Sequence, residues 1–229
     1  MSIKHKEIAG LIGPNGAGKT TVFNMLTKVY KPSRGTIVFC GQDTANLSIV
    51  EMSKLGIART FQNIRLFSKL SVLDNVKCGF HQSITYSPLD AIFKTPRYRR
   101  EEHEVDRKSR ELLKVFNLSN EADVVAASLP YGGQRRLEIA RALATSPRLL
   151  LLDEPAAGMN PQETEDLMNM IRTVRDKFEI SILLIEHDMK LVMGICERIT
   201  VLNYGMTLAE GTPEEIQSNP EVVKAYLGE

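Results

Sequence analysis

Short apolar runs alternate with amphipathic stretches in the first and last parts of the chain. The apolar run at residues 8–13 ends in glycine and predicts a buried strand, and residues 19–30 have the spacing of a helix. Further strands are predicted at residues 36–39, 57–61, 148–153, 181–186, 199–202 and 205–208, and further helices at residues 161–178 and 189–196. This alternation predicts an α/β fold with a mostly parallel sheet flanked by helices.

The pattern changes between residues 71 and 144. Strand signals fade there and charged helical segments dominate, the clearest at residues 97–116. We therefore predict one domain, residues 1–229, in which a helical subdomain (71–144) is inserted into an α/β core (1–70 and 145–229).

Composition narrows the possible classes of protein. Hydrophobic residues make up 43% of the chain, which allows a full core and argues against disorder. The net charge of +1 does not favour a nucleic-acid partner. The chain has no apolar run of membrane-spanning length and its first residues lack a secretory pattern, so a cytosolic location is expected. Cys40, Cys78 and Cys196 match no metal pattern and are expected to be free thiols.

A glycine-rich motif follows the first predicted strand and matches G-x-x-x-x-G-K-[ST] in full. Its glycines let several backbone N–H groups point into one cavity, where they favour phosphate oxygens. Lys19 is expected to contact the β- and γ-phosphates, and the Thr20 hydroxyl to bind Mg²⁺. The predicted phosphate-binding residues are Gly13, Pro14, Asn15, Gly16, Ala17, Gly18, Lys19, Thr20 and Thr21. Taken alone, the motif indicates only a nucleoside triphosphate or a related ligand.

Two acids end the apolar strand at residues 148–153. The carboxyl ends of parallel strands border the crevice in which such sheets bind ligands. Asp153 is suited to hold Mg²⁺, and Glu154 could polarise an attacking water. Taken in isolation, the two acids are equally well explained as a polar turn that follows a buried strand.

A second glycine-rich string precedes the basic helical segment at residues 135–143. Gly132 and Gly133 free the backbone just before a helix N-terminus, which is a second anion-binding arrangement. A single nucleotide does not need two anion-binding sites, so we expect this string to face a nucleotide that is held by another subunit. A plain turn before a helix is the alternative for Gly-Gly alone.

Taken together and in order, these motifs resemble the ABC ATPase family, over nearly the whole chain. The resemblance implies that Glu154 is the catalytic base, that His187 touches the γ-phosphate and that Gln62 joins the Mg²⁺ shell. It further implies that Tyr131, Gly132, Gly133 and Gln134 close on the ATP of a partner cassette. ATP and Mg²⁺ are the implied cofactors. The implied catalytic residues are thus Glu154, His187 and Gln62, and the metal residues are Thr20, Gln62 and Asp153.

Several strings resemble the branched-chain amino acid importer branch of that family: residues 10–21, 129–143, 153–161, 185–193 and 211–228. Such systems combine two ATPase subunits, two permeases and a substrate-binding protein. The resemblance implies a head-to-tail dimer with a second ATPase subunit, either the same chain or a different one. It also implies a peripheral position on the inner face of the membrane and no nucleic-acid partner. A soluble ABC ATPase acting on nucleic acid or ribosomes, and a truncated nucleotide-sensing module, are the alternatives.

Two residues and the segment before the phosphate loop depart from the family pattern. Tyr131 stands where the signature usually has serine, and Asn160 where the dimer-contact loop usually has aspartate. Family members usually have about two dozen more residues before the phosphate loop, going by domain-scale lengths. Those residues supply a first strand and an aromatic that stacks on adenine, whereas the twelve residues before Gly13 contain no aromatic. We therefore expect a truncated antiparallel β part and ATP binding that is about tenfold to a hundredfold weaker.

Overall fold

The computed structural model describes residues 1–227, within which the chain forms eight strands and ten α-helices. The strands are β1 (Ile8–Ile12), β2 (Val38–Phe39), β3 (Gln42–Asp43), β4 (Ile57–Arg59), β5 (Leu149–Asp153), β6 (Ser181–Ile185), β7 (Arg198–Asn203) and β8 (Met206–Gly211). The helices are α1 (Lys19–Leu26), α2 (Ile49–Leu55), α3 (Val72–Gly79), α4 (Pro88–Phe93), α5 (Pro96–Val115), α6 (Tyr131–Leu143), α7 (Pro161–Phe178), α8 (Met189–Ile195), α9 (Pro213–Gln217) and α10 (Pro220–Leu227).

Six strands form one sheet in the order β4-β5-β6-β1-β7-β8. All neighbouring pairs are parallel except β7 and β8, which are antiparallel. Strands β1, β5 and β6 are buried along their whole length, as expected for apolar strands covered on both faces. The predicted α/β class with a mostly parallel sheet is therefore confirmed. The antiparallel part beyond this sheet is the two-stranded pair of β2 and β3.

Backbone contacts divide the chain into two compact units. The first, here called the core unit, contains Met1–Gln62 and the residues from Arg148 onward, and it holds all eight strands. The second, the helical unit, is Asn63–Pro147. Within the described residues no helix is both long enough and apolar enough to cross a bilayer.

The helical unit is assembled around one face of its longest helix, α5. Val105, Ser109, Leu112 and Leu113 of this helix are buried, and their spacing places them on a single face. Helices α3 and α6 approach closely at Gly79, where a Cβ would lie 2.4 Å from the carbonyl oxygen of Arg141. A glycine is therefore required at this crossing.

Local chemistry shifts several element boundaries from those predicted. The first helix ends at Leu26, not at residue 30, because Lys28 adopts a left-handed conformation with φ 61°. The strand predicted at residues 36–39 is reduced to β2. Helix α2 was not predicted, although Ser48 and Glu51 form a complete capping box at its start. Helix α7 has the predicted bounds, since Asn160 and Glu163 cap it in the same way.

The thiols are expected to react in two classes. Cys40 and Cys78 are exposed, whereas Cys196 is buried, and burial raises the pKa of the Cys196 thiol to about 12. Because the thiolate is the reactive form, we predict that an aromatic disulfide reagent at mildly alkaline pH titrates two thiols in the native protein and the third only after unfolding. A Cys40→Ser, Cys78→Ser double variant should lose the native reaction. Equal reaction rates for all three thiols would contradict this prediction.

Candidate nucleotide site

Four neighbouring parallel strands bring the predicted site residues of the core unit to one edge of the sheet. The phosphate loop follows β1, the segment ending at Gln62 follows β4, Glu154 follows β5, and His187 follows β6 by two residues. Strand register aligns Asp153 with Ile185, and Ile185 with Leu11 of β1. The loops that follow β1, β5 and β6 therefore begin at the same level of the sheet, at the carboxyl edge where such sheets bind ligands.

The phosphate loop has the backbone conformation that the glycines predict. Gly13, Gly16 and Gly18 all have positive φ angles, and a Cβ at Gly13 would lie 2.2 Å from the carbonyl oxygen of Leu202. Gly18 caps α1 without any side-chain hydrogen bond, so no side chain occupies the first N–H groups of that helix. The loop thus presents open backbone donors, as anion binding requires.

The Lys19 ammonium is folded back over this loop. Its Nζ donates to the carbonyl oxygens of Gly13 and Pro14, at 2.7 and 3.0 Å. Burial lowers the pKa of Lys19, and the nearby negative charge of Glu154 opposes that shift. The Lys19 ammonium and the Glu154 carboxylate therefore interact electrostatically at this edge of the sheet. Thr20 and Thr21 are exposed beside it.

Glu154 is the centre of a polar cluster with Gln62 and His187. Gln62 donates from Nε2 to a carboxylate oxygen of Glu154 at 2.6 Å, and His187 Nδ1 lies 3.9 Å from the other oxygen. Glu154 has a left-handed backbone with φ 47°, a costly conformation for a residue with a side chain. Strain of this kind is concentrated at functional sites. The structure therefore brings together the three side chains predicted to be catalytic.

Sequence reasoning missed the partner of Asp153. Arg59, the last residue of β4, donates from its guanidinium to Asp153 Oδ2 at 2.6 Å and to Asn24 Oδ1 at 2.7 Å. Both members of the ion pair are nearly buried. The residues next to Arg59 in the sequence do not indicate that it pairs with Asp153, because the contact depends on the pairing of β4 with β5. Only one Asp153 oxygen is engaged by this pair.

Glu186 was also missed, although it stands between the β6 strand and His187. One of its carboxylate oxygens accepts from the Ala156 N–H at 2.8 Å, and the other accepts from the N–H groups of His187 and Asp188 at 3.0 and 3.3 Å. Burial raises the pKa of Glu186, and these N–H donors oppose that shift. The residue links the loops after β5 and β6, which hold Glu154 and His187.

Removing this link should destabilise the fold. We predict that Glu186→Ala lowers the free energy of unfolding by about 1–3 kcal/mol, because the Ala156 N–H is left buried and unpaired, which costs about that much. Glu186→Gln keeps one acceptor oxygen and should fall between Glu186→Ala and the wild type. Urea unfolding of the nucleotide-free protein measures both. A Glu186→Ala variant as stable as the wild type would show that the three N–H bonds contribute nothing.

In the helical unit, the glycine string lies inside a helix. The predicted turn before the helix is wrong: α6 begins at Tyr131, and Pro130 is its N-cap, with no side-chain cap. The Pro130 carbonyl accepts from the N–H of Gln134 and starts the helical ladder. Gly132 and Gly133 therefore form the first turn, and their N–H groups are those that a helix leaves unpaired. The anion binding expected of the string stays a prediction.

Side chains along α6 hold that first turn and the chain that enters the helical unit. The Tyr131 hydroxyl lies 3.3 Å from a guanidinium nitrogen of Arg135, which pairs with Glu138 at 2.8 Å in the interior. Glu138 also accepts from the Arg65 N–H at 3.1 Å, and Arg141 donates to the Arg65 carbonyl. Both backbone groups of Arg65 are thus bound by the helix that begins at Tyr131.

A glycine-rich loop between a buried strand and a helix, at the sheet edge where β5 ends in Asp153 and Glu154, defines a P-loop nucleotide-binding protein. The sequence model described as "ABC transporter" matches residues 1–157. A second, described as "Branched-chain amino acid ATP-binding cassette transporter", matches residues 207–229, of which 228 and 229 lie outside the described part. The chain belongs to the ABC transporter family, as one of its ATP-binding and ATP-hydrolysing subunits.

Individual relatives agree with this assignment. The chain is 49% identical to the high-affinity branched-chain amino acid transport ATP-binding protein LivG of Escherichia coli, over all of this chain and 90% of LivG. It is 33% identical to the solved ADP conformation of MJ1267, an ATP-binding cassette of an ABC transporter, with a TM-score of 0.85 over all of this chain and 91% of MJ1267. The dimeric, ADP- and phosphate-bound cassette MJ0796 is 25% identical, with a TM-score of 0.77 over 93% of this chain and 88% of MJ0796.

Proposed function

We propose that this chain hydrolyses ATP as one of two paired cassettes and thereby drives uptake of branched-chain or other hydrophobic amino acids through partner permeases. The observation that carries the proposal is the convergence of Gln62, Glu154 and His187 at the sheet edge that also carries Lys19. In this proposal residues 1–229 act as one ABC ATPase domain, and the helical insert predicted at 71–144 carries the signature string.

The phosphate loop is proposed to hold the triphosphate of ATP. The N–H groups of residues 13–21, apart from Pro14, which has none, supply donors, and the Lys19 ammonium exchanges its carbonyl partners for the β- and γ-phosphates. The Gly13 and Pro14 carbonyls hold the ammonium in place before the nucleotide arrives. This arrangement positions the cation at little further entropic cost.

Mg²⁺ fits the oxygen donors at this edge. Asp153 has one carboxylate oxygen outside its Arg59 pair, Thr20 presents an exposed hydroxyl, and Gln62 has an amide oxygen. The described residues contain no cluster of three or more acid, histidine or cysteine ligands, which fits an ion held mainly by substrate phosphates. When bound, the ion would neutralise charge on the phosphates. Thr20, Gln62 and Asp153 are proposed to hold it.

Hydrolysis is assigned to Glu154 as the general base. Its carboxylate is oriented by the Gln62 amide, and its backbone is held by an N–H bond to the Ile185 carbonyl at 2.9 Å. Glu154 is proposed to take the proton of a water attacking the γ-phosphorus, while His187 donates to a γ-phosphate oxygen. The bond from the γ-phosphorus to the β–γ bridging oxygen breaks, and ADP leaves with that oxygen. Gln62 contacts the proposed base, Glu154, and is also one of the residues proposed to hold Mg²⁺. It is therefore proposed to sense whether the γ-phosphate is present.

The second anion site is proposed to serve the nucleotide of a partner cassette. The first turn of α6 has N–H groups that no side chain caps, and it belongs to the helical unit, outside the phosphate loop. Two cassettes in head-to-tail contact would then build two sites, each completed by Tyr131, Gly132, Gly133 and Gln134 of the other protomer. The dimeric cassette MJ0796 supports this arrangement.

Amino-acid uptake follows from the branch of the family rather than from the site. The name of LivG states branched-chain amino acid transport, which supports the same substrate class for this chain. The chain is proposed to act with permeases and a substrate-binding protein, on the cytoplasmic face of the membrane. The test is leucine uptake into proteoliposomes containing the chain, its permeases and its binding protein. We expect uptake that requires internal ATP and that histidine fails to inhibit. ATP hydrolysis stimulated by a different substrate, without leucine uptake, would overturn the assignment.

A further inference from the structure

Helix α4 of the helical unit has an exposed apolar face. Leu89, Ile92 and Phe93 lie on this face, because residues three and four apart in a helix are neighbours. Their exposed fractions are 64%, 71% and 74%, and no residue of α4 is buried. Within residues 1–227, therefore, nothing covers the apolar face of this helix.

Polar capping, and not apolar packing, holds α4 in place. Ser87 and Asp90 form a complete capping box at its start, and the Thr95 hydroxyl donates to Asp90 at 2.9 Å beyond its end. Lys94 ends the helix in a left-handed conformation. A helix of six residues has little stability of its own in water. These contacts therefore keep an apolar face turned outward without any gain from burial.

Three of the four cations that follow this face in the chain have no ion pair within the described residues. Lys94 is the C-cap of α4, and Arg99 and Arg100 lie in the first turns of α5; all three are exposed. None of them forms an ion pair or a side-chain hydrogen bond within the described residues. By contrast, the fourth cation, Arg97, pairs with Glu101 at 3.1 Å. The corner between α4 and α5 thus has three cations without an ion-pair partner in the described part of the chain.

The neighbouring acids are engaged elsewhere. Glu101 accepts from the Thr85 N–H and hydroxyl at 2.8 and 2.7 Å, and these bonds hold the pKa of its carboxyl at about 2. Glu102 accepts from the Tyr86 hydroxyl at 2.7 Å. Both carboxylates are bound to the segment before α4, and neither forms an ion pair with Arg99 or Arg100.

We propose that this α4 patch, defined as Leu89, Ile92, Phe93, Lys94, Arg99 and Arg100, docks on the anionic headgroup region of a membrane. Apolar side chains on one face enter the boundary between headgroups and acyl chains, and the adjacent cations bind lipid phosphates. A protein groove would match the apolar face, but the unpaired cations match a surface of anionic lipid. The inference uses the proposed function only to place the chain beside a bilayer.

The test is co-sedimentation of the whole chain with vesicles of equal parts phosphatidylcholine and phosphatidylglycerol. We expect binding that falls at high salt and is at least about tenfold weaker with pure phosphatidylcholine. The triple variant Leu89→Ser, Ile92→Ser, Phe93→Ser should bind at least about tenfold more weakly. Arg99→Gln and Arg100→Gln should each weaken binding about fivefold. None of these side chains is buried, so the variants should fold.

The matched control is Ile49→Ser with Val50→Ser, which removes two exposed apolar side chains from α2 of the core unit. It should leave vesicle binding unchanged. The proposal is overturned if the wild type does not sediment with anionic vesicles, or if the triple variant binds as the control does. Loss of permease-coupled ATP hydrolysis in the triple variant, without any vesicle binding by the wild type, would assign the patch to the permease. Failure of leucine uptake alone leaves the vesicle result intact, so the two proposals fail separately.

Discussion

Glu154→Gln is expected to lower ATP turnover by the assembled transporter at least about a hundredfold, because a positioned general base contributes about a hundred- to ten-thousandfold. Glutamine has the same shape, can still accept from Gln62, and occupies the same left-handed backbone at no greater cost. ATP should therefore still bind, and the variant should accumulate in the ATP-bound, paired state. Turnover and retained nucleotide, measured after removal of free ATP, test both expectations.

The control is Glu111→Gln, which changes an exposed acid of α5 that pairs with Arg107 on the surface. Its turnover should equal that of the wild type. If Glu154→Gln hydrolysed ATP at the wild-type rate, another group would have to be the base, and the Gln62, Glu154 and His187 cluster would have a structural role instead.

Lys19→Ala should weaken ATP binding by about ten- to a hundredfold, because a hydrogen bond to a charged group contributes about 1.5–3 kcal/mol. The same change should not destabilise the nucleotide-free protein. Burial lowers the pKa of Lys19, which means that the folded state disfavours its charge, and removing a disfavoured charge relieves that cost.

Because the ammonium deprotonates at a lower pH than usual, ATP affinity of the wild type should fall as the pH rises through that lowered pKa. Equilibrium binding of a fluorescent ATP analogue and thermal unfolding measure these effects.

Lys31→Ala is the matched control, since Lys31 is exposed and lies outside the phosphate loop. It should bind the analogue as the wild type does at every pH. Retained affinity in Lys19→Ala would contradict the assignment of the loop as the triphosphate site. A large fall in its thermal stability would contradict the charge argument while leaving the binding argument in place.

Much of the core unit could be predicted from the sequence, because its signals are local. The apolar runs at β1, β5 and β6 are buried strands, and the glycines of the phosphate loop have the positive φ angles that the motif requires. Helix α7 begins and ends where predicted, since a proline follows a capping asparagine at its start. These features depend on a few adjacent residues and on no distant partner.

The missed features depend on contacts between distant segments. The bond from Arg59 to Asp153 requires β4 to pair with β5, and the bond from the Ala156 N–H to Glu186 joins two loops that are thirty residues apart. Neither pairing has a local pattern. The turn predicted at Gly132 and Gly133 was wrong for a local reason, because Pro130 already fixes the N-cap and the glycines follow it into the helix. The catalytic and binding roles of the site residues stay predictions.

The central claim is that the first turn of α6 in one protomer completes the nucleotide site built around Lys19 of its partner. The most direct measurement is a structure of the transporter carrying Glu154→Gln, trapped with ATP and Mg²⁺. We predict that the N–H groups of Gly132 and Gly133 lie within hydrogen-bond distance of the γ-phosphate bound to the opposite protomer. A trapped complex in which ATP occupies the phosphate loop while this turn faces solvent in both protomers would contradict the account.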